Sequence, residues 1–227
     1  MNTHIISLAR VLGLAAALLG TALPSAAVVV VYTSQVAYEL ALGASVASDD
    51  FGDLVAGSAL TGPLTRMAGG TGYTARAVPP LVPDLGAEDF FPIAPGGNTA
   101  LSSNFADATM VFDQFSQSVR GLSGQFFSSD ELGAMLSGSL NLVLVDQDGS
   151  FNHSLAIGNA PSFLGFISDG SFSSFSLSAL QPSGGFHFAA VDDLGLAVTS
   201  AVPEPGAASL KLLGLGLLML VAKRRRR

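Results

Sequence analysis

The amino-acid sequence predicts a mostly β protein folded as an antiparallel sandwich, with one short helix near its beginning. Three observations lead there. Past residue 43 the apolar residues come in short stretches broken by Gly, Ser, Asp and Pro, and no long 3.6-residue periodicity is sustained. In Phe175-Ser176-Leu177-Ser178 apolar residues and serine alternate, as one buried and one wet face require. Fifteen phenylalanines against three tyrosines and no tryptophan indicate that most aromatic surface fills a core between two sheets.

Residues 1–27 read as a secretory signal peptide with a helical apolar core. His4 and Arg10 precede the apolar stretch from Val11 to Gly20, and Pro24-Ser25-Ala26-Ala27 supplies small residues for cleavage, which is expected after Ala27. The mature domain, residues 28–200, opens on the β-branched run Val28 to Tyr32, a strand. Thr33 or Ser34 is placed to cap a short helix. Val36, Ala37, Leu40 and Ala41 would share its buried face, and Gly43 would end it. Residues 79–95 hold five of the eleven prolines and several acids, which predicts a long surface loop.

Strands are expected near 108–112, 119–127, 140–145, 153–157, 163–167, 172–177, 186–190 and 194–198. Asp148-Gly149, Asp169-Gly170 and Ser183-Gly184-Gly185 would be the turns between neighbours. About 170 residues can bury roughly 70% of the surface the unfolded chain exposes, so the absence of cysteine is no obstacle to folding.

Charge narrows the partners. Between residues 28 and 200 there are three arginines (Arg66, Arg76 and Arg120), no lysine and sixteen carboxylates, a formal charge of −13. Nucleic acid is excluded, because affinity for a phosphate backbone comes from Lys and Arg displacing counterions. Neutral sugars or divalent cations fit better.

The acidic pairs are the candidate metal ligands. Calcium takes roughly six to eight oxygens, and Asp146 with Asp148 in a Gly-containing turn offers two. Asp192 and Asp193 offer two more if a bulge turns them to one side, since strand neighbours otherwise face opposite ways. Asp49-Asp50 forms a third pair. No cofactor other than calcium is suggested. Nor is an enzyme: the sequence has no Gly-x-Ser-x-Gly elbow, no His-Glu-x-x-His motif and no phosphate loop. His153 beside a turn and His187 in a Phe-flanked strand read as ordinary packing residues rather than general bases.

Residues 201–227 form three ordered parts. Val202, Pro203, Glu204 and Pro205 resist helix and sheet and present an open chain. Ala207 to Ala222 is apolar apart from Lys211 and would span about 24 Å as a helix, close to a membrane crossing. Lys223, Arg224, Arg225, Arg226 and Arg227 would stay on the cytoplasmic side and stop transfer, leaving the domain outside.

Together these parts resemble the PEP-CTERM sorting signal of exported bacterial proteins; Lys211 departs from the usual uncharged stretch. The resemblance implies processing by exosortase, a transpeptidase-like membrane enzyme, in envelope-bearing bacteria that make extracellular polysaccharide. Asp50-Phe51-Gly52-Asp53-Leu54 with Gly57, and the stretches Phe163 to Ser168, Phe172 to Leu177 and Phe188 to Leu194, resemble the exported β domains that precede such signals. That second likeness implies a jelly-roll or lectin-like sandwich.

The functional expectation is a non-enzymatic protein of the cell envelope or biofilm matrix. It would pass through an inner-membrane intermediate held by the apolar tail, reach the cell surface or extracellular matrix, and associate with exopolysaccharide. The alternatives are a calcium-dependent carbohydrate-binding module and, less well supported by motifs, a secreted hydrolase.

Overall fold

The structure, a computed structural model, describes residues 28–78 and 88–198. The signal peptide, most of the proline-rich loop and the sorting motif with its apolar and basic segments lie outside the described residues. Among the described residues no helix is long and apolar enough to cross a membrane.

The chain begins with β1 (Val29–Tyr32), α1 (Gln35–Leu42), β2 (Ser48–Asp49), β3 (Leu60–Thr61), β4 (Leu64–Ala68) and β5 (Thr71–Val78). It continues through β6 (Glu88–Phe90), β7 (Leu101–Ser102), β8 (Thr109–Asp113), β9 (Val119–Ser129) and β10 (Met135–Leu136). Then follow β11 (Gly138–Val145), β12 (Ser150–Ile157), β13 (Ser162–Phe172), β14 (Ser174–Ala179) and β15 (Phe188–Ala197). Every strand pair is antiparallel.

Two sheets carry the expected sandwich. One has the order β1-β13-β9-β15-β2, with β10 added to β9 and β7 to β15; the other runs β12-β11-β14-β8-β5-β4. A small ribbon pairs β3 with β6. Between the sheets, Leu122, Phe126, Leu164 and Phe166 meet Met110, Phe112, Leu142, Phe175 and Leu177, all fully buried. Phe175 stacks on Phe112 within its sheet, centroids 5.4 Å apart, and meets Phe126 of the opposite sheet edge-on at 5.7 Å.

The first sheet is also covered on its outer face. Phe127 packs there with Ile93, Ala100 and Ala190, and α1 covers another part through Tyr38. This is where the expected helix face fails. Val36 and Leu40 are 76% and 81% exposed, Ala37 and Ala41 are exposed too, and Tyr38 is the fully buried side chain. The reason is a hollow matched to a ring: a Cβ added at Gly165 would stand 2.4 Å from the Tyr38 ring, and one at Gly121 2.7 Å from its hydroxyl. Tyr32 and Phe163 close around it at 5.9 Å. Gly43 ends the helix as expected, in the left-handed region at φ 71°.

Three other expectations change. The strands at 186–190 and 194–198 are one strand, β15, interrupted by a bulge: Asp192 pairs with Gln125, Gly195 with Ser123, and Asp193 has φ 52°. Asp169-Gly170 is not a turn between strands, because β13 runs through it; the chain instead passes from one sheet to the other at Ser173. Residues 79–95 are not all loop, since β6 lies within that span and Ile93 bridges to Ala100 beyond it. Asp148-Gly149 does close the β11–β12 hairpin, whose last pair is Val145–Ser150.

A candidate binding site at one end of the sandwich

The sequence-selected acids lie in two places. Asp146 is buried at the tip of the β11–β12 hairpin and its oxygens are engaged. Oδ1 accepts the backbone N–H groups of Asp148 at 3.0 Å and Gly149 at 3.1 Å, and Oδ2 accepts the Ser168 hydroxyl at 2.8 Å. It shapes the turn and ties it to β13. Asp148 itself is exposed.

Asp49, Asp50, Asp192 and Asp193 gather instead where β2 pairs with β15. Asp49 is committed to a buried lock: its carboxylate accepts Arg66 Nε at 2.9 Å and Nη2 at 2.6 Å, the Tyr73 hydroxyl at 2.7 Å and the Phe51 N–H at 3.1 Å. Arg66 also grips Asp53 through two bonds of 2.7 and 2.8 Å, and its guanidinium lies 5.3 Å from the Phe51 ring centroid. That lock engages Phe51 and Asp53 of the Asp50-Phe51-Gly52-Asp53 stretch, while the Asp50 carboxylate accepts the Gly52 N–H at 3.1 Å. The Arg66 hydrogen bonds hold the Asp53 carboxyl below its usual range.

Asp192 lies beside the lock. Partial burial pushes its carboxyl up to about 6 against a stabilising bond from the Asp193 N–H, with the Asp193, Asp50 and Asp49 charges adding to the rise. Asp193 Oδ1 accepts the Ser48 hydroxyl at 3.4 Å. The Asp146–Asp148 pair is not brought to the Asp192–Asp193 pair. Among the described residues no group of three or more His, Asp or Glu side chains is placed to hold a metal ion.

The two histidines among the described residues sit in different settings. His153 on β12 stacks on Phe151 and meets Phe166 edge-on at 5.8 Å. His187 is not in a strand; it sits in the loop before β15, where its carbonyl accepts from Gln181 Nε2 at 2.8 Å and its N–H donates to Gln181 Oε1 at 3.1 Å.

A large open concavity lies elsewhere, at the end of the sandwich where β9 and β14 finish and β8 and β15 begin. Three hollows of about 160, 450 and 470 Å³ adjoin one another there and share lining residues. Phe186 stands between the two larger ones and is 67% exposed. Phe105 and Pro182 line one side of it, Leu132 and Leu136 the other.

Gln181 fastens the Phe186 loop. Its Nε2 donates to the Ala106 carbonyl at 2.6 Å as well as to His187, joining the 180–187 loop to the loop before β8. Asp130 Oδ1 accepts the N–H groups of Leu132 at 2.9 Å and Ala134 at 2.8 Å, fixing the turn that presents Leu132. The smallest hollow is floored by Ser103 and Ser129, whose hydroxyls are buried without a hydrogen-bond partner. Such an arrangement offers an aromatic platform, apolar walls and unused hydroxyls to a polar ligand with apolar faces.

Sequence reasoning missed this site because it assigned Phe186 to a strand and phenylalanine in general to the core. The signal present was Ser183-Gly184-Gly185 directly before it: a glycine-rich turn gives a following Phe no strand neighbour to pack against.

No family model matches the chain, and no curated protein matches it. Among solved structures, a mutant of the carbohydrate-binding module CBM29-2 aligns with 65% of this chain and 97% of its own, at 13% identity and a TM-score of 0.36. A likeness that slight supports no conclusion about fold or function.

Proposed function

We propose that this chain is an exported, non-enzymatic protein of the cell envelope or extracellular matrix whose sandwich binds extracellular polysaccharide at its Phe186 end. The observation that carries the binding half is the exposed Phe186 ring standing between two adjoining hollows on a loop tied down by Gln181. Sugar rings have apolar C–H faces that stack on an aromatic plane while their hydroxyls reach polar groups alongside. A site already held in shape loses little freedom on binding.

The polar groups of this end act as fasteners. Asp130 and Gln181 spend their bonds on backbone groups, and the His187 Nδ1 is buried with no hydrogen-bond partner, so no nucleophile or orienting carboxylate engages that ring as a catalytic base requires.

The export half rests on the sequence. An N-terminal secretory signal, then Val202-Pro203-Glu204-Pro205, an apolar segment and a five-residue basic end support delivery by a PEP-CTERM and exosortase system, with the membrane as an intermediate station.

Both halves are testable in the producing cells. Mass spectrometry of the mature protein is expected to find both termini trimmed; an intact Arg227 on most molecules would refute processing. The full chain is expected to co-sediment with the cells' own extracellular polysaccharide, and Phe186→Ala to weaken that binding about tenfold, roughly 1.4 kcal/mol. Because the ring is exposed, the same substitution should leave the thermal midpoint unchanged. Equal binding by both proteins would refute the site.

A further inference from the structure

We infer that the Phe186 end selects amine-bearing, cationic polysaccharide over neutral and acidic chains; this rests on the glycan-binding reading above and names its substrate class. Carboxylates occur on every side of the ring. Asp107 lines one large hollow, and Asp130 and Glu131 line both the other and the small one. Asp107 and Glu131 make no ion pair or hydrogen bond with other described residues, so their charge faces the open hollows.

His187 shares the hollow of Asp130 and Glu131, but no lysine or arginine among the described residues is placed to neutralise these carboxylates. The described residues contain no lysine and only three arginines. Arg66 is bound by Asp49 and Asp53, and Arg76 by Asp113. Arg120 sits at the start of β9 while the site is at Ser129, nine residues on, a distance of about 30 Å in extended chain. At physiological ionic strength the screening length is about 8 Å, so that cation is not felt at the site.

A second observation points to a polar ligand independently of charge. The buried, unpartnered hydroxyls of Ser103 and Ser129 line the hollow that Asp130 and Glu131 share. An ammonium group on a sugar ring stacked at Phe186 would find carboxylates beside it, and hydroxyls of the same chain would find Ser103 and Ser129. An acidic polysaccharide would instead bring like charges together with no lysine or arginine between them.

The test is calorimetric titration of the full chain at pH 6 with four probes: a glucosamine hexamer, its fully N-acetylated counterpart, a polyguluronate fragment and hexalysine. The glucosamine hexamer is expected to bind about tenfold tighter than the acetylated one, the return on one or two partly exposed charge pairs. That preference should shrink at high salt and vanish in Asp107→Asn/Glu131→Gln, and polyguluronate should not bind.

Equal affinity for the two hexamers would overturn the inference and leave the glycan reading standing. Tighter binding of hexalysine than of either sugar would overturn it in favour of a basic peptide. Failure of both hexamers to bind would overturn the inference too, and co-sedimentation with the cells' own polysaccharide then decides the glycan reading.

Discussion

Arg66 shows most directly how single residues hold this molecule. Its guanidinium bridges a buried carboxylate, Asp49, and an exposed one, Asp53, while stacking on Phe51. Truncating it leaves Asp49 buried with one of its partners gone, so Arg66→Ala is expected to cost about 3 kcal/mol or more in urea unfolding. Lysine should not rescue it, because one ammonium cannot serve two carboxylates through a planar fork.

Asp192 should reveal itself through pH. Its carboxyl is raised to about 6 in the folded protein from an ordinary value near 3.9, so the folded state holds the proton more tightly than the unfolded one. That contribution is fully present below about pH 4 and is lost as pH rises through about 6. Asp192→Asn should therefore flatten the decline in thermal midpoint between pH 4 and pH 7; an unchanged slope would contradict this environment.

The aspartate pairs were visible in the sequence, but their employment was not. Asp146 is satisfied by Ser168 and Asp49 by Arg66, partners far along the chain that only the fold brings close.

At the scale of elements, periodicity served strands better than the helix. Long stretches with large alternating apolar residues, such as Leu140-Asn141-Leu142-Val143-Leu144, declare themselves. The β4–β5 hairpin at Gly69-Gly70 did not, because its inward positions include the small residues Ala68 and Ala75 and alternation of size is lost. In α1 the apolar pattern pointed to the wrong side, since a single aromatic ring in a glycine-walled hollow outweighs four aliphatic residues that the sheet is not shaped to receive.

This gives a paired prediction for urea unfolding. Tyr38→Ala should cost about 3–5 kcal/mol, whereas Leu40→Ala should change stability by less than about 0.5 kcal/mol. Gly165→Ala should cost about 1–3 kcal/mol by overpacking, because its Cβ would press on the Tyr38 ring. If Leu40→Ala proved the more damaging change, the helix would be turned over.

For the whole molecule, the mostly β architecture followed from composition and turn spacing, and the acidic, lysine-free character of residues 28–200 from counting alone. The site did not follow. It is assembled from three loops near residues 105, 131 and 186, and loops carry no periodicity from which their meeting could be inferred. The fold places all three at one end because β9 and β14 finish there as β8 and β15 begin, opposite the end that holds the Asp146 hairpin.

The proposed function comes down to place, with ligand meeting this protein at the Phe186 end. Hydrogen–deuterium exchange of the full chain with and without the glucosamine hexamer measures that place directly. Protection is expected in 103–108, 130–136 and 181–188; protection confined to the outer face of the β12-β11-β14-β8-β5-β4 sheet would contradict it.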